Sequence, residues 1–199
     1  MRKIIWHHTG SVVGNPCAST QHHNVDIIDA GHARKWPGFT SKVFTNKRGE
    51  FYHVGYHFVI DVQKGVVTQT RDFGEEGAHT IGMNKSSVGV CIIGNYDVCS
   101  GDQIPQTAHR LIRDVWLLCK ARYPQLTITD NVPHRKYSTK SCFGDRYADN
   151  FIQQVILNFS DTIEIEHDRM LKQIIDLLQR QIALLKVKLG KKRLSFREK

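Results

Sequence analysis

The sequence predicts an α/β (α+β) domain in which a central mixed β-sheet is flanked by helices, followed by a C-terminal amphipathic helix. Two observations predict the sheet and its helices. Short β-branched runs such as residues 88–93 read as strands, and they alternate with longer segments of helical periodicity such as residues 105–122. A third observation, a change of composition near Phe159, divides the chain into a domain over residues 1–159 and a segment over residues 160–199.

The first half of the chain supplies most of the predicted strands. Residues 3–7 form a short strand that ends in polar residues, and a helix begins at Asn24 and stops before Pro37-Gly38. Residues 55–61 form the next strand, and Gln63-Lys64-Gly65 is a hairpin turn into residues 66–70. The apolar run at 88–93 is typical of a strand that is buried on both faces.

The second half is predicted to be mostly helical. Pro105 opens a helix to about Arg122, with apolar residues on one face. Residues 126–129 are predicted as a short strand and residues 145–158 as the last helix of the domain. A polar loop that carries His134 and Cys142 lies between them.

The segment after residue 160 contains a heptad pattern and a basic end. The apolar positions with heptad spacing are Leu171, Ile175, Leu178, Ile182, Leu185 and Leu189. This regularity favours a coiled coil over residues 171–189 that makes a homo-oligomer. The alternative is a basic amphipathic helix that contacts anionic envelope lipid. Both interpretations remain open on the sequence.

Composition and charge limit the partners and the compartment. The 199 residues carry a formal net charge of +9, which favours an anionic partner without choosing among nucleic acid, lipid and cell envelope. No nucleic-acid motif is present, so no nucleic acid is expected. Residues 1–8 lack the apolar core of a signal peptide, and no run approaches the ~20 apolar residues of a membrane span. We therefore expect synthesis in a cytoplasm and a separate route of release.

The five cysteines do not suggest a disulfide framework. Their number is odd, and Cys91 and Cys119 lie in apolar runs that are typical of buried free thiols. The pairing of Cys17 and Cys99 stays open. Cys142 lies in a polar loop near a histidine, where a role in the core is less natural.

Three residues are candidates for a metal site. His7 ends the first predicted strand, and His134 and Cys142 share one loop. Imidazole and thiolate are good zinc ligands, and three protein ligands leave a position for water, as in catalytic zinc sites. Taken singly each signal is weak, because a histidine at a strand end is more often structural and the spacing of His134 and Cys142 fits no zinc-finger pattern.

Taken together, the motifs resemble a known family. The order WHHTG, VGYHFVID, GAHT, NKSSVGVCIIGNYD and PHRKYSTKSC is similar to the phage-lysozyme type of zinc-dependent N-acetylmuramoyl-L-alanine amidase, whose fold is shared by peptidoglycan-recognition proteins. The resemblance covers about residues 1–158. It departs from the family at Phe143, where the family has a proline, and in the extra segment 160–199.

The resemblance implies the site and its chemistry. One Zn²⁺ per chain is bound by His7, His134 and Cys142, and it activates water to cleave the amide between N-acetylmuramic acid and L-alanine in peptidoglycan. The other residues it assigns are Tyr56 and Lys140 as stabilisers of the oxyanion, and His79, Thr80, Asn84 and Trp36 as the lining of the muropeptide groove.

Several functions fit this resemblance. A bacteriolytic phage or prophage endolysin that acts on the cell wall after release is favoured. A non-catalytic peptidoglycan receptor is the first alternative, but such proteins lose metal ligands that are present here. A cytoplasmic amidase that recycles muropeptides typically has aspartate where this chain has Cys142. A toxin injected into competing bacteria is the remaining possibility.

Overall fold

The computed structural model describes residues 2–158. Its strands are β1 (Lys3–His8), β2 (Phe58–Asp61), β3 (Val66–Gln69), β4 (Ser87–Ile92) and β5 (Asn131–Pro133). Its helices are α1 (Val25–Lys35), α2 (His109–Arg122) and α3 (151–158). Within residues 2–158 no helix has the length and apolar character that crossing a bilayer requires. The predicted helix over 171–189 and the domain boundary at residue 159 lie outside the described residues.

The sheet has five strands in the order β3-β2-β4-β1-β5. β1 lies between β4 and β5 and is parallel to both, and β2 is parallel to β4. Only the hairpin of β2 and β3 is antiparallel. The predicted mixed sheet with flanking helices is therefore confirmed.

The two faces of the sheet bury different clusters. Ile4 and Trp6 of β1 belong to the larger core, which α2 and α3 cover. The other face is covered by a smaller core, in which Ile28 of α1 packs with Val59 and Ile93. Every residue of β4 is buried, so the expectation of a strand covered on both faces is confirmed.

One predicted element of the second half is wrong, and another begins later than predicted. Residues 126–129 do not form a strand; a 3₁₀ turn over Ile128–Asp130 is closed by a capping box between Thr127 and Asp130, and β5 follows it. The local hydrogen bonds of Thr and Asp here outweigh the strand preference of Ile and Thr. The last helix begins at residue 151 rather than 145, because residues 145–150 form turns.

The structure answers the open question on the cysteines. Cys17 and Cys99 form a disulfide, whereas Cys91, Cys119 and Cys142 are free. Hydrogen bonds join the same two loops: the Asn95 side-chain amide donates to the carbonyls of Pro16 and Ala18, each at 2.9 Å. The loop that follows β1 is thereby fastened to the loop that follows β4.

The side chain of His57 links β4 to the loop before it, and its lowered pKa predicts that the fold loses stability in acid. Its Nδ1 accepts from the Gly89 amide at 3.1 Å, and its Nε2 donates to the Glu75 carbonyl at 3.0 Å. Burial lowers the pKa of His57 to about 4. In the unfolded chain His57 binds a proton below pH ~6.5, whereas in the folded chain it binds one only below about pH 4. The free energy of unfolding that His57 contributes is therefore fully present above pH 6.5 and is lost as the pH falls towards 4.

We expect denaturant unfolding of the metal-free protein to lose roughly 1 kcal/mol per pH unit through His57 over this range. His57→Gln should reduce the slope by the contribution of one histidine, because His8, His32 and His79, whose pKa values burial also lowers, keep theirs. His22→Gln, at an exposed histidine, should leave the slope unchanged. An equally steep dependence in His57→Gln would show that other groups cause it.

Candidate metal centre and groove

Strand alternation directs the side chains of His7 and His8 to opposite faces of the sheet. Trp6 and His8 point towards the larger core, where the His8 ring stacks on Tyr96 and its Nδ1 accepts from the Tyr96 amide at 3.0 Å. His7 points to the other face, where its ring lies 5.1 Å from that of Tyr56.

The pairing of β5 with β1 places His134 beside His7. Pro133 is the register partner of Trp6, so His134 follows β5 directly beside His7, with ring centroids 4.4 Å apart. Cys142 returns to the same point, with its Sγ 3.7 Å from Nδ1 of His7. One ligand atom from each of the three residues lies within 4.8 Å of the other two.

Arg135 holds the loop that carries Cys142, a role that no local sequence pattern predicts. Its amide donates to the Cys142 carbonyl, its guanidinium donates to the carbonyls of Gly144 and Tyr147, and it pairs with Asp149 at 2.6 Å. Phe143, which replaces the family's proline, is buried in the larger core against Tyr147. The sulfur is therefore fixed from both sides of the loop.

The electrostatics of the cluster favour neutral donors. Burial, and next the neighbouring His79 and His134, hold the pKa of His7 well below its usual value. Burial and then Lys140 lower the pKa of His134. Burial raises the pKa of the Cys142 thiol to about 12, so a cation must displace its proton. Two neutral imidazoles and one thiol at this spacing fit the donor set of a zinc site with an open fourth position.

Tyr56 and Lys140 line the same cavity as the three donors. Burial, and next Cys91 and Cys142, raise the pKa of Tyr56 well above its usual value, so its phenol keeps its proton and acts as a donor. Lys140 is exposed at the rim. The structure thus brings all five of these predicted residues to one cavity of about 590 Å³.

A second cavity of about 560 Å³ adjoins the first and is more apolar. It is lined by all four residues predicted for the groove, Trp36, His79, Thr80 and Asn84, and also by Ile81 and Tyr137. Ile81 is 96% exposed. Trp36, His79, His134 and Lys140 line both cavities, which therefore form one continuous groove.

The end of α1 forms one wall of the groove, which the sequence did not predict. His32 and Lys35 line the first cavity together with Trp36. Nδ1 of His32 accepts from the Gly55 amide at 2.9 Å, and Lys35 lies over the Trp36 ring at 4.5 Å. The spacing of residues 32, 35 and 36 on one predicted helix face was the signal that could have found them.

Comparisons with known proteins agree with this geometry. A family model described as N-acetylmuramoyl-L-alanine amidase matches residues 1–145. The endolysin of Enterobacteria phage K11 is 30% identical over 128 residues, which cover 63% of this chain and 75% of that protein.

Solved structures show the same fold. The Ph2119 endolysin of a Thermus scotoductus bacteriophage matches with a TM-score of 0.56 at 17% identity, over 78% of this chain and 84% of that one. Drosophila PGRP-LB matches with a TM-score of 0.51 at 20% identity, over 72% and 75%.

The family model and the similar endolysin together define a peptidoglycan amidase. Two histidines and a cysteine that could hold a metal ion lie in its open groove. The chain belongs to the N-acetylmuramoyl-L-alanine amidase family. It is an enzyme of the hydrolase class.

Proposed function

We propose that this chain hydrolyses the amide bond between N-acetylmuramic acid and L-alanine with one zinc ion held by His7, His134 and Cys142. The convergence of three zinc-type donors from two distant segments, within 4.8 Å of one another, carries the proposal. The cluster lines an open groove that is formed by two adjoining cavities. A closed structural site would instead offer four protein ligands.

The residues of the cavity divide the chemistry between them. When bound, zinc supplies a Lewis acid that activates water for attack on an amide at neutral pH. The protonated phenol of Tyr56 donates a hydrogen bond to the oxygen of the scissile carbonyl as negative charge develops there. The cationic side chain of Lys140 stabilises the same charge from the rim.

The groove binds the muropeptide on either side of the scissile amide. Trp36 offers an apolar wall, and the segment that carries His79, Thr80 and Asn84 forms the opposite side. Lys35 places a cation beside Trp36, which suits the carboxylates of a stem peptide.

The biological role that we propose is that of a phage or prophage endolysin that reaches the cell wall after release. The similarity to the endolysin of phage K11 supports this role. The receptor function is disfavoured because the chain keeps His7, His134 and Cys142 together with Tyr56 and Lys140. The recycling function is disfavoured because the third ligand is a cysteine.

Removal of the metal or of the thiolate should abolish activity. We expect purified protein to release intact stem peptides with new L-alanine amino termini from peptidoglycan, detected by mass spectrometry. A chelator and Cys142→Ser should both stop the release, because each takes away the source of the activated water. Cys119→Ser, at a buried thiol of α2 in the larger core, is the matched control and should stay active. Release that persists in the chelator would contradict a metal-dependent amidase.

Loss of the two oxyanion stabilisers should lower kcat and leave the metal in place. We expect Tyr56→Phe and Lys140→Met each to reduce kcat by about 10²–10³-fold, the usual cost of one such donor. Zinc content measured by atomic absorption should remain one per chain. Lys136→Met, an exposed lysine of the same loop, should behave as wild type. Full activity in Tyr56→Phe would remove Tyr56 from the mechanism.

The segment over 171–189 is proposed to form an oligomer that increases avidity for an insoluble polymer. We expect the full chain to be larger than a monomer in light scattering and a chain ending at residue 160 to be monomeric. A monomer in both cases would leave contact with anionic lipid as the function of the basic end, which vesicle co-sedimentation measures.

A further inference from the structure

We infer that His79, Thr80 and Asn84 position the zinc ligand His7, rather than hydrogen-bonding the substrate. The inference rests on the proposed zinc site. It concerns the nitrogen of His7 that faces away from the metal, which in zinc proteins usually donates to a fixed acceptor.

The two nitrogens of the His7 ring face different neighbours. Nδ1 faces the Cys142 sulfur at 3.7 Å. Nε2 lies 3.1 Å from Nδ1 of His79 and 3.3 Å from Oγ1 of Thr80. Nδ1 of His79 and Oγ1 of Thr80 are themselves 3.0 Å apart. The three polar atoms form a closed triangle behind the metal ligand.

Metal binding selects one arrangement of protons in this triangle. A free lone pair on Nδ1 of His7 requires the proton on Nε2, which must then donate. It donates either to Nδ1 of His79 or to the Thr80 hydroxyl, and in the second case that hydroxyl donates onward to His79. In both cases Nδ1 of His79 is the acceptor and His79 carries its proton on Nε2.

Asn84 fixes the backbone from which these two side chains project. Its Oδ1 accepts from the amides of His79 and Thr80 at 2.9 and 2.7 Å. The Asn84 side-chain oxygen therefore holds the backbone of His79 and Thr80, and the positions of Nδ1 of His79 and Oγ1 of Thr80 depend on it.

The environment of His79 argues against hydrogen bonds to the substrate. Its Nδ1 is occupied by the triangle, and its Nε2 is buried without a partner among residues 2–158. A Cβ on Gly89 would come within 2.7 Å of this Nε2, and one on Gly77 within 2.9 Å, so two glycines leave the space for the ring. Thr80 is 2% exposed. Only carbon atoms of the His79 ring remain to line the groove.

Zinc affinity of the purified full-length protein tests the inference. We expect His79→Leu, Thr80→Val and Asn84→Ala to weaken zinc binding by about 10- to 100-fold in competition with a chromophoric chelator. His79→Asn, which keeps an acceptor at the position of Nδ1, and Thr80→Ser, which keeps the hydroxyl, should restore most of the affinity. Thr68→Val on β3, away from the site, is the matched control and should bind zinc as wild type does.

Enzyme kinetics distinguish positioning from contact with the substrate. With saturating zinc, any loss of activity in the variants should follow the loss of bound zinc rather than a rise in KM for soluble muropeptide. Wild-type zinc affinity in Thr80→Val and His79→Leu, or a raised KM with unchanged zinc affinity, would overturn the inference. Failure of the wild-type protein to bind zinc would refute the proposed function itself, so the two failures are distinguishable. If the Leu or Val variants do not fold, the comparison of Thr80→Ser with Thr80→Ala decides.

Discussion

The pairing of β1 with a parallel strand on each side is the constraint on which the site depends. β1 is held in register by β4 and β5, so the direction of each of its side chains is fixed by the sheet. Alternation then sends His7 to the groove and His8 to the core. The register of β5 delivers His134 beside His7, and the contacts of Arg135 return Cys142 to the same point. A one-residue slip of β1 would exchange the two histidines and dismantle the donor set.

The imidazoles of the cluster disfavour protonation. Burial lowers the pKa of His7, His79 and His134, and His134 further lowers the pKa of His7 and of His79. The Nε2 of His79, which has no partner among residues 2–158, adds a cost of about 1–3 kcal/mol, typical of a buried group without a hydrogen bond. This cost lies beside the three donors for which we propose a zinc ion, and local costs of this kind are expected at functional sites.

The sequence predicted most of the sheet and the donor residues, and it failed where distant contacts decide. β1, α1 and β4 were predicted closely because periodicity and caps such as Asn24 are local signals. The strand over 126–129 was wrong because the bonds between Thr127 and Asp130 outweigh propensity. The contacts of Arg135 and the pairing of Cys17 with Cys99, 82 residues apart, have no local signal. The same holds for His79, whose contact with His7 joins residues 72 apart in sequence.

The location of the groove follows from the direction of the strands. β1, β4 and β5 are parallel, so the loops that leave their carboxyl ends emerge at one edge of the sheet, where open α/β sheets place their ligands. Thr9 and Gly10 after β1, Asp97 after β4 and His134 after β5 all line the first cavity. The disulfide and the Asn95 bonds fasten two of these loops together, and Arg135 fastens the third. The donors thus rest on strand ends and cross-braced loops, which fixes their spacing before a metal ion or a substrate arrives.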